Sequence, residues 1–182
     1  MNSYQSLFDK QKAFFYTDST KTYGWRMDQL NRLEKLLTEN QDAFCLALYQ
    51  DFGKPPFEQL FEITVPLGNI RYYKENLQKL MAPEQVPIPK GLEATGNKGV
   101  IYKEPYGVTL VIGPFNAPVL LLLDPAIAAL AAGNPVILKP ANTTPSVAAL
   151  FARLIPEYFE AGAVSVVTGG REEIAELLQL PF

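Results

Sequence analysis

Between Trp25 and Gln50, the apolar residues Leu30, Leu33, Leu37, Phe44, Ala47 and Leu48 recur every three to four positions against Arg32, Glu34, Lys35, Glu39 and Asp42. That period gathers apolar side chains on one face and charges on the other, and predicts amphipathic helices. Asn40 stands where one helix ends and is placed to cap the next. DFGKPP at 51–56 predicts a turn, with Gly53 as the helix stop. A further helix is predicted over 57–80, with Leu60, Phe61, Thr64, Leu67 and Arg71 along one side and Pro66 as a kink or interruption. MAPEQVPIPKGLEATGNKG at 81–99 is rich in Pro and Gly and predicts an extended linker.

The pattern then changes. Val100-Ile101-Tyr102, the stretch 107–112, Val136-Ile137-Leu138 and the stretch 164–167 are short apolar runs that predict strands. Asp124-Pro125 and Thr144-Pro145 each present a cap residue followed by a first-turn proline, and so predict helix starts. The first of these helices ends at Gly133, which suits a left-handed cap. The second carries Val147, Leu150, Phe151 and Leu154 on one face, is disturbed by Pro156 and stops near Gly162. A last helix from Arg171 turns Ile174, Leu177 and Leu178 inward. Strands alternating with helices predict an α/β fold: a parallel sheet with right-handed crossovers and helices on both faces. The expected organisation is an N-terminal helical region (1–82), an extended linker and bridging strand (83–106), and part of a Rossmann-like sheet (107–182). Ligands of such sheets bind beyond the carboxyl ends of the strands. Three strand ends therefore matter: Gly113 to Asn116, Lys139 to Asn142, and Thr168 to Gly170.

Composition narrows the chemistry. The 182 residues are 48% hydrophobic, with 11 Phe and 9 Tyr, enough to build a core. A net charge of −3 and a pI near 5.1 argue against a nucleic-acid partner. There is no histidine, which excludes histidine-based triads, dyads and metal sites from this chain. The single cysteine, Cys45, cannot pair within the chain, and MNSYQSLFDK lacks a signal-peptide pattern. A cytoplasmic setting is expected. From Tyr106 to Leu138 the one charge is Asp124, yet repeated Gly, Pro and Asn break the run, so no membrane span is expected.

At the strand ends, G-x-G-x-x-G is absent after the first strand of the sheet. Gly169-Gly170 lets backbone approach an anion, or simply turns the chain. Lys139 stands where a dinucleotide fold reads a ribose, or is a solvated lysine at a strand end. No acid follows it: the next residues are Pro140, Ala141 and Asn142. Asn116 carries a neutral amide able to donate two hydrogens to a developing oxyanion, or to bond its own backbone in a turn. Cys45 sits among Phe44, Leu46, Ala47 and Leu48 without a nearby cation and reads as a structural thiol. Residues 71–74, Arg-Tyr-Tyr-Lys, read as a mixed helix face.

Together EPYGVTLVIGPFNAP (104–118), DPAIAALAAGNPVILKPANTTP (124–145) and VSVVTGG (164–170) resemble the aldehyde dehydrogenase superfamily, and DFGKPPFE (51–58) is similar to its class 3 and fatty-aldehyde-like branch. The resemblance covers almost the whole chain. It implies oxidation of an aldehyde to a carboxylic acid with NAD or NADP, through a cysteine thiohemiacetal that a glutamate-activated water then resolves. It assigns Asn116 as the oxyanion donor, with Phe115 in place of the usual tryptophan. It assigns Lys139 to the adenosine ribose. Ile112, Gly113, Pro114, Phe115, Ala141, Asn142, Gly169 and Gly170 would line the cofactor cleft. A homodimer or larger homo-oligomer is also implied.

Two departures stand out. The glutamate often found three residues after the lysine is Asn142, so use of both cofactors is expected. The nucleophile and the glutamate base match no residue up to Phe182, so the chain is expected to be an N-terminal part that is inactive alone. Two other readings remain open. One is a non-catalytic remnant that acts as an oligomerisation or binding module through 97–106. The other is an acylating or phosphate-reducing relative that needs no hydrolytic glutamate.

Overall fold

The computed structural model describes residues 2–182, which fold as helices followed by a parallel sheet. Four helices come first: α1 (Gln5–Phe15), α2 (Tyr23–Glu39), α3 (Gln41–Phe52) and α4 (Pro56–Met81). Strand β1 (Glu84–Val86), the single helical turn α5 (Lys90–Glu93) and strand β2 (Gly99–Ile101) follow. The remainder is β3 (Thr109–Ile112), α6 (Leu120–Ala131), β4 (Val136–Lys139), α7 (Pro145–Tyr158), β5 (Val164–Val166) and α8 (Arg171–Leu177). Strands β3, β4 and β5 lie side by side in that order, all parallel.

The apolar pattern decides which helix covers which face. Alternate residues Val111, Leu138, Val136 and Val164 join a core with α6 and α7, backed by Leu30, Leu33 and Leu37 of α2, Phe44 and Leu48 of α3 and Ile63 and Ile70 of α4. The opposite face packs Ile137, Val108 and Val167 against Phe8 of α1 and against Leu177 and Leu180 in and beyond α8. The N-terminal helices therefore sandwich the sheet, and α1 supplies a cover that the periodicity of residues 25–80 did not announce.

Several expectations need correction. The stretch 81–99 is not simply extended linker: β1 and β2 pair antiparallel, Glu84 opposite Ile101 and Val86 opposite Gly99. Helix α4 runs unbroken through Pro66, which is buried on its inner face. That face is Glu62, Ile63, Pro66, Ile70 and Leu77, whereas Leu60, Phe61, Thr64 and Arg71 are exposed. Leu178 is likewise exposed. Asn40 occupies the cap position of α3, but its amide donates to the Leu36 carbonyl and the Tyr158 hydroxyl.

Helix α6 starts at Leu120, not at Asp124, and Pro125 lies inside it. Asp124 instead accepts a hydrogen bond from the Asn69 amide. The cap of α6 comes from far away in sequence: Glu62 accepts from the Val119 and Leu120 amides at 2.9 and 3.4 Å. Helix α7 shows the same device. Thr144 holds the N-cap position, yet its hydroxyl donates to the Ala141 carbonyl. Asp51 of α3 accepts from the Ser146 and Val147 amides, both at 3.0 Å. Carboxylates of the helical half thus satisfy the unpaired amides that begin both crossover helices. At the other end of α6, Gly133 takes the expected positive φ of +91°.

Asp51→Ala removes the acceptor for two amides of α7. It should lower stability by about 1 kcal/mol, the usual cost of losing an N-cap, as read from the urea unfolding midpoint.

Candidate functional site

The carboxyl ends of the three parallel strands meet at one edge of the sheet. Ile112 pairs with Lys139, and the Gly113 amide donates to the Lys139 carbonyl at 2.9 Å. The Val167 amide donates to the Leu138 carbonyl at 2.9 Å, carrying the chain past β5 toward Gly169-Gly170. Residues 112–114, 139–142 and 168–170 are therefore neighbours, as the alternation of strands and helices implied.

Lys139 is not a solvated lysine. It is 1% exposed, and its ammonium donates to the Pro140 carbonyl at 2.8 Å and the Gly169 carbonyl at 2.6 Å. Burial pulls it below the usual lysine range, and the nearby Glu173 charge opposes that shift. An ammonium has three donors, and these two carbonyls use two of them. Gly169, at φ +120°, adopts backbone that a side chain rarely tolerates. The Gly170 amide donates to the Glu173 carboxylate. Backbone hydrogen bonds from its own and the Gly170 amide hold that carboxyl below the usual range, with Lys139 helping. Ala141 is half-buried and Asn142 exposed, the latter facing Gly170.

Asn116 belongs to a second cluster, beside α4. It is exposed, like Phe115, and its side-chain amide makes no hydrogen bond among the described residues, so the turn-forming alternative is not what the fold shows. What is held is its backbone: Lys54 donates to the Asn116 carbonyl at 2.8 Å. Lys54 also forms an ion pair with Glu62, their side chains 12% and 2% exposed. Glu62 in turn caps α6, as described above. One carboxylate thus fixes a cation and the helix start on either side of residues 116–119.

No hydrogen bond links this cluster to Lys139; what they share is the sheet edge. Lys54, Glu62 and Glu173 were missed in the sequence because none lies in a strand-end loop. Lys54 lies in the turn before α4 and Glu62 eight residues later on the helix, so nothing local pairs them. Cys45, half-buried on α3, has its thiol pushed up by burial and by Asp42, which suits an inert role. Among the described residues no acidic, cysteine or histidine cluster could hold a metal ion, and no helix is long and apolar enough to cross a membrane. A cavity of about 260 Å³ beside Arg26, Tyr73 and Ala131 lies at the opposite end of α6, away from the strand ends.

Residues 6–180 match the aldehyde dehydrogenase family. The chain belongs to that family. It is 40% identical over 183 residues to 4,4'-diaponeurosporen-aldehyde dehydrogenase of Staphylococcus aureus, covering 100% of this chain and 39% of that protein. Human aldehyde dehydrogenase family 3 member B1 is 36% identical over 169 residues, covering 92% and 36%. A solved structure described as the substrate-bound state of Staphylococcus aureus AldH superimposes with a TM-score of 0.95 at 39% identity, covering 100% of this chain and 40% of that one. The chain thus spans less than half the length of these relatives, and it has the fold of their N-terminal portion.

Glu62→Ala would leave Lys54 and two α6 amides without their common partner. It should cost about 3 kcal/mol or more, as breaking a buried pair does. Equilibrium unfolding in guanidinium, compared with the exposed control Glu58→Ala, measures it.

Proposed function

We propose that residues 1–182 are the amino-terminal portion of an NAD(P)-dependent aldehyde dehydrogenase that oxidises an aldehyde to a carboxylic acid through a cysteine thiohemiacetal. One observation carries this reading: an exposed, neutral amide, Asn116, anchored through its own backbone at the carboxyl end of β3. A donor fixed where negative charge builds on a reacting oxygen lowers the barrier without reorganising at the moment of reaction. A neutral group also leaves the ionisation of a nearby thiolate undisturbed.

The residues fit a dinucleotide. The third hydrogen of Lys139 can meet a ribose hydroxyl, Gly169 and Gly170 keep side chains out of the way, and Ile112, Gly113, Pro114, Phe115, Ala141 and Asn142 form the rest of the lining. NAD(P), when bound, supplies the hydride acceptor. The chain's own part is to orient the cofactor at the Lys139 cluster and to hold the aldehyde oxygen at Asn116. The thiolate and the glutamate base match no residue of the chain, and Cys45 on α3 does not substitute. The 182-residue chain alone is thus inactive and binds reduced cofactor weakly. The exposed ribbon residues Val100, Ile101 and Tyr102 suit pairing with a second copy in a homodimer or larger assembly. The single thiol suits a reducing compartment such as the cytoplasm.

The test is a chimera that joins residues 1–182 to the remaining part of the Staphylococcus aureus relative. It should reduce a nicotinamide cofactor in the presence of an aldehyde. Asn116→Ala should then lower kcat about a hundredfold while leaving the Kd for cofactor unchanged. Undiminished turnover would remove Asn116 from the mechanism.

A further inference from the structure

The sequence has no acid after Lys139, and on that ground either cofactor would do. The fold changes this, because α8 brings a carboxylate to the same place. Glu173 folds back so that one of its oxygens accepts from the Gly170 amide. Its carboxyl group fills the space beside Gly169: a Cβ added there would collide with Glu173 Cδ. The carbonyl of that same glycine is held by the Lys139 ammonium at 2.6 Å. The Asn142 amide nitrogen lies 3.5 Å from where a Gly170 Cβ would be. Lys139, Asn142 and Glu173 therefore converge on Gly169-Gly170 from three different elements.

We propose that Glu173 is a specificity-determining residue that selects NAD over NADP, by placing a fixed carboxylate where the adenosine ribose meets the Lys139 cluster. This rests on the reading of the strand ends as an adenosine cleft. A free 2′-hydroxyl can donate to a carboxylate. A 2′-phosphate has no such donor when ionised, carries a charge of about −2 near neutral pH, and meets a like charge. The backbone hydrogen bonds on Glu173 favour its charged form. Lys139 counters that repulsion only in part, since its single positive charge, held against the Pro140 and Gly169 carbonyls, faces both the Glu173 carboxylate and a phosphate of about −2. Asn142, being neutral, neither attracts nor repels the phosphate.

Lys139, Asn142, Gly169, Gly170 and Glu173 all lie within this chain, so the test needs no active enzyme. Residues 1–182 are titrated with 5′-AMP and, separately, with adenosine 2′,5′-bisphosphate, and the backbone amide signals of Asn142, Gly169 and Gly170 are followed by NMR. The native chain should bind 5′-AMP about tenfold more tightly at low ionic strength, and added salt should narrow the gap. Glu173→Gln keeps an acceptor for the Gly170 amide but not the charge, and should abolish or reverse the preference. Glu173→Ala serves as a second variant and should do the same. Equal affinities in the native chain, or an unchanged ratio in both variants, would overturn the role of Glu173 and leave the cleft intact. Failure of both nucleotides to move these signals would overturn the cleft itself, and the selectivity with it.

Discussion

The ion pair between Lys54 and Glu62 ties the helical half of this molecule to the loop and helix that follow β3. An isolated charge at the depth of Glu62 would be strongly unfavourable. Here the carboxylate meets one ammonium and two backbone amides, which between them offset its desolvation. Because the ammonium also holds the Asn116 carbonyl, the same contact that starts α6 positions the loop leading into it. Asp51 repeats the arrangement at α7. The crossover helices therefore begin where the helical half allows them to begin, and the strand-end loops follow.

This construction separates two electrostatic environments along one sheet edge. Beside α4, Lys54 and Glu62 neutralise one another, and what faces outward is an uncharged amide. Beside α8, a buried ammonium and a half-buried carboxylate flank a pair of glycines. In the proposed reading, the first is the donor to an oxygen on which charge develops and the second recognises a hydroxyl-bearing sugar.

Much of this was legible from residue order. The alternation of strands and helices after residue 106 announced a parallel sheet, and the parallel direction holds. The Leu30, Leu33, Leu37 and Phe44 stripe is buried, as its spacing implied. The errors share a cause, in that each concerns a contact made at a distance. Asp124-Pro125 has the local form of a helix start, but Glu62, 57 positions before Val119, supplies the cap and moves the start to Leu120. The exposed face of α4 was misjudged because Glu62 counts as polar until its partners are known. The β1–β2 pairing was hidden because each strand is only three residues long and Pro and Gly surround them. Asn116 and Lys139 were expected at strand ends because the apolar runs stop just before or at them, and the fold places them there. Lys54, Glu62 and Glu173 could not be named, because their roles exist only through backbone groups on other elements.

The central claim is that Glu62 and Lys54 hold residues 116–119 rigidly to α4. Amide hydrogen exchange of the native chain tests it most directly. The Val119 and Leu120 amides, bonded to a buried carboxylate, should exchange orders of magnitude more slowly than the exposed Asn116 amide three residues earlier, at a rate near that of the α6 interior. Exchange at Val119 and Leu120 as fast as at Asn116 would contradict the account.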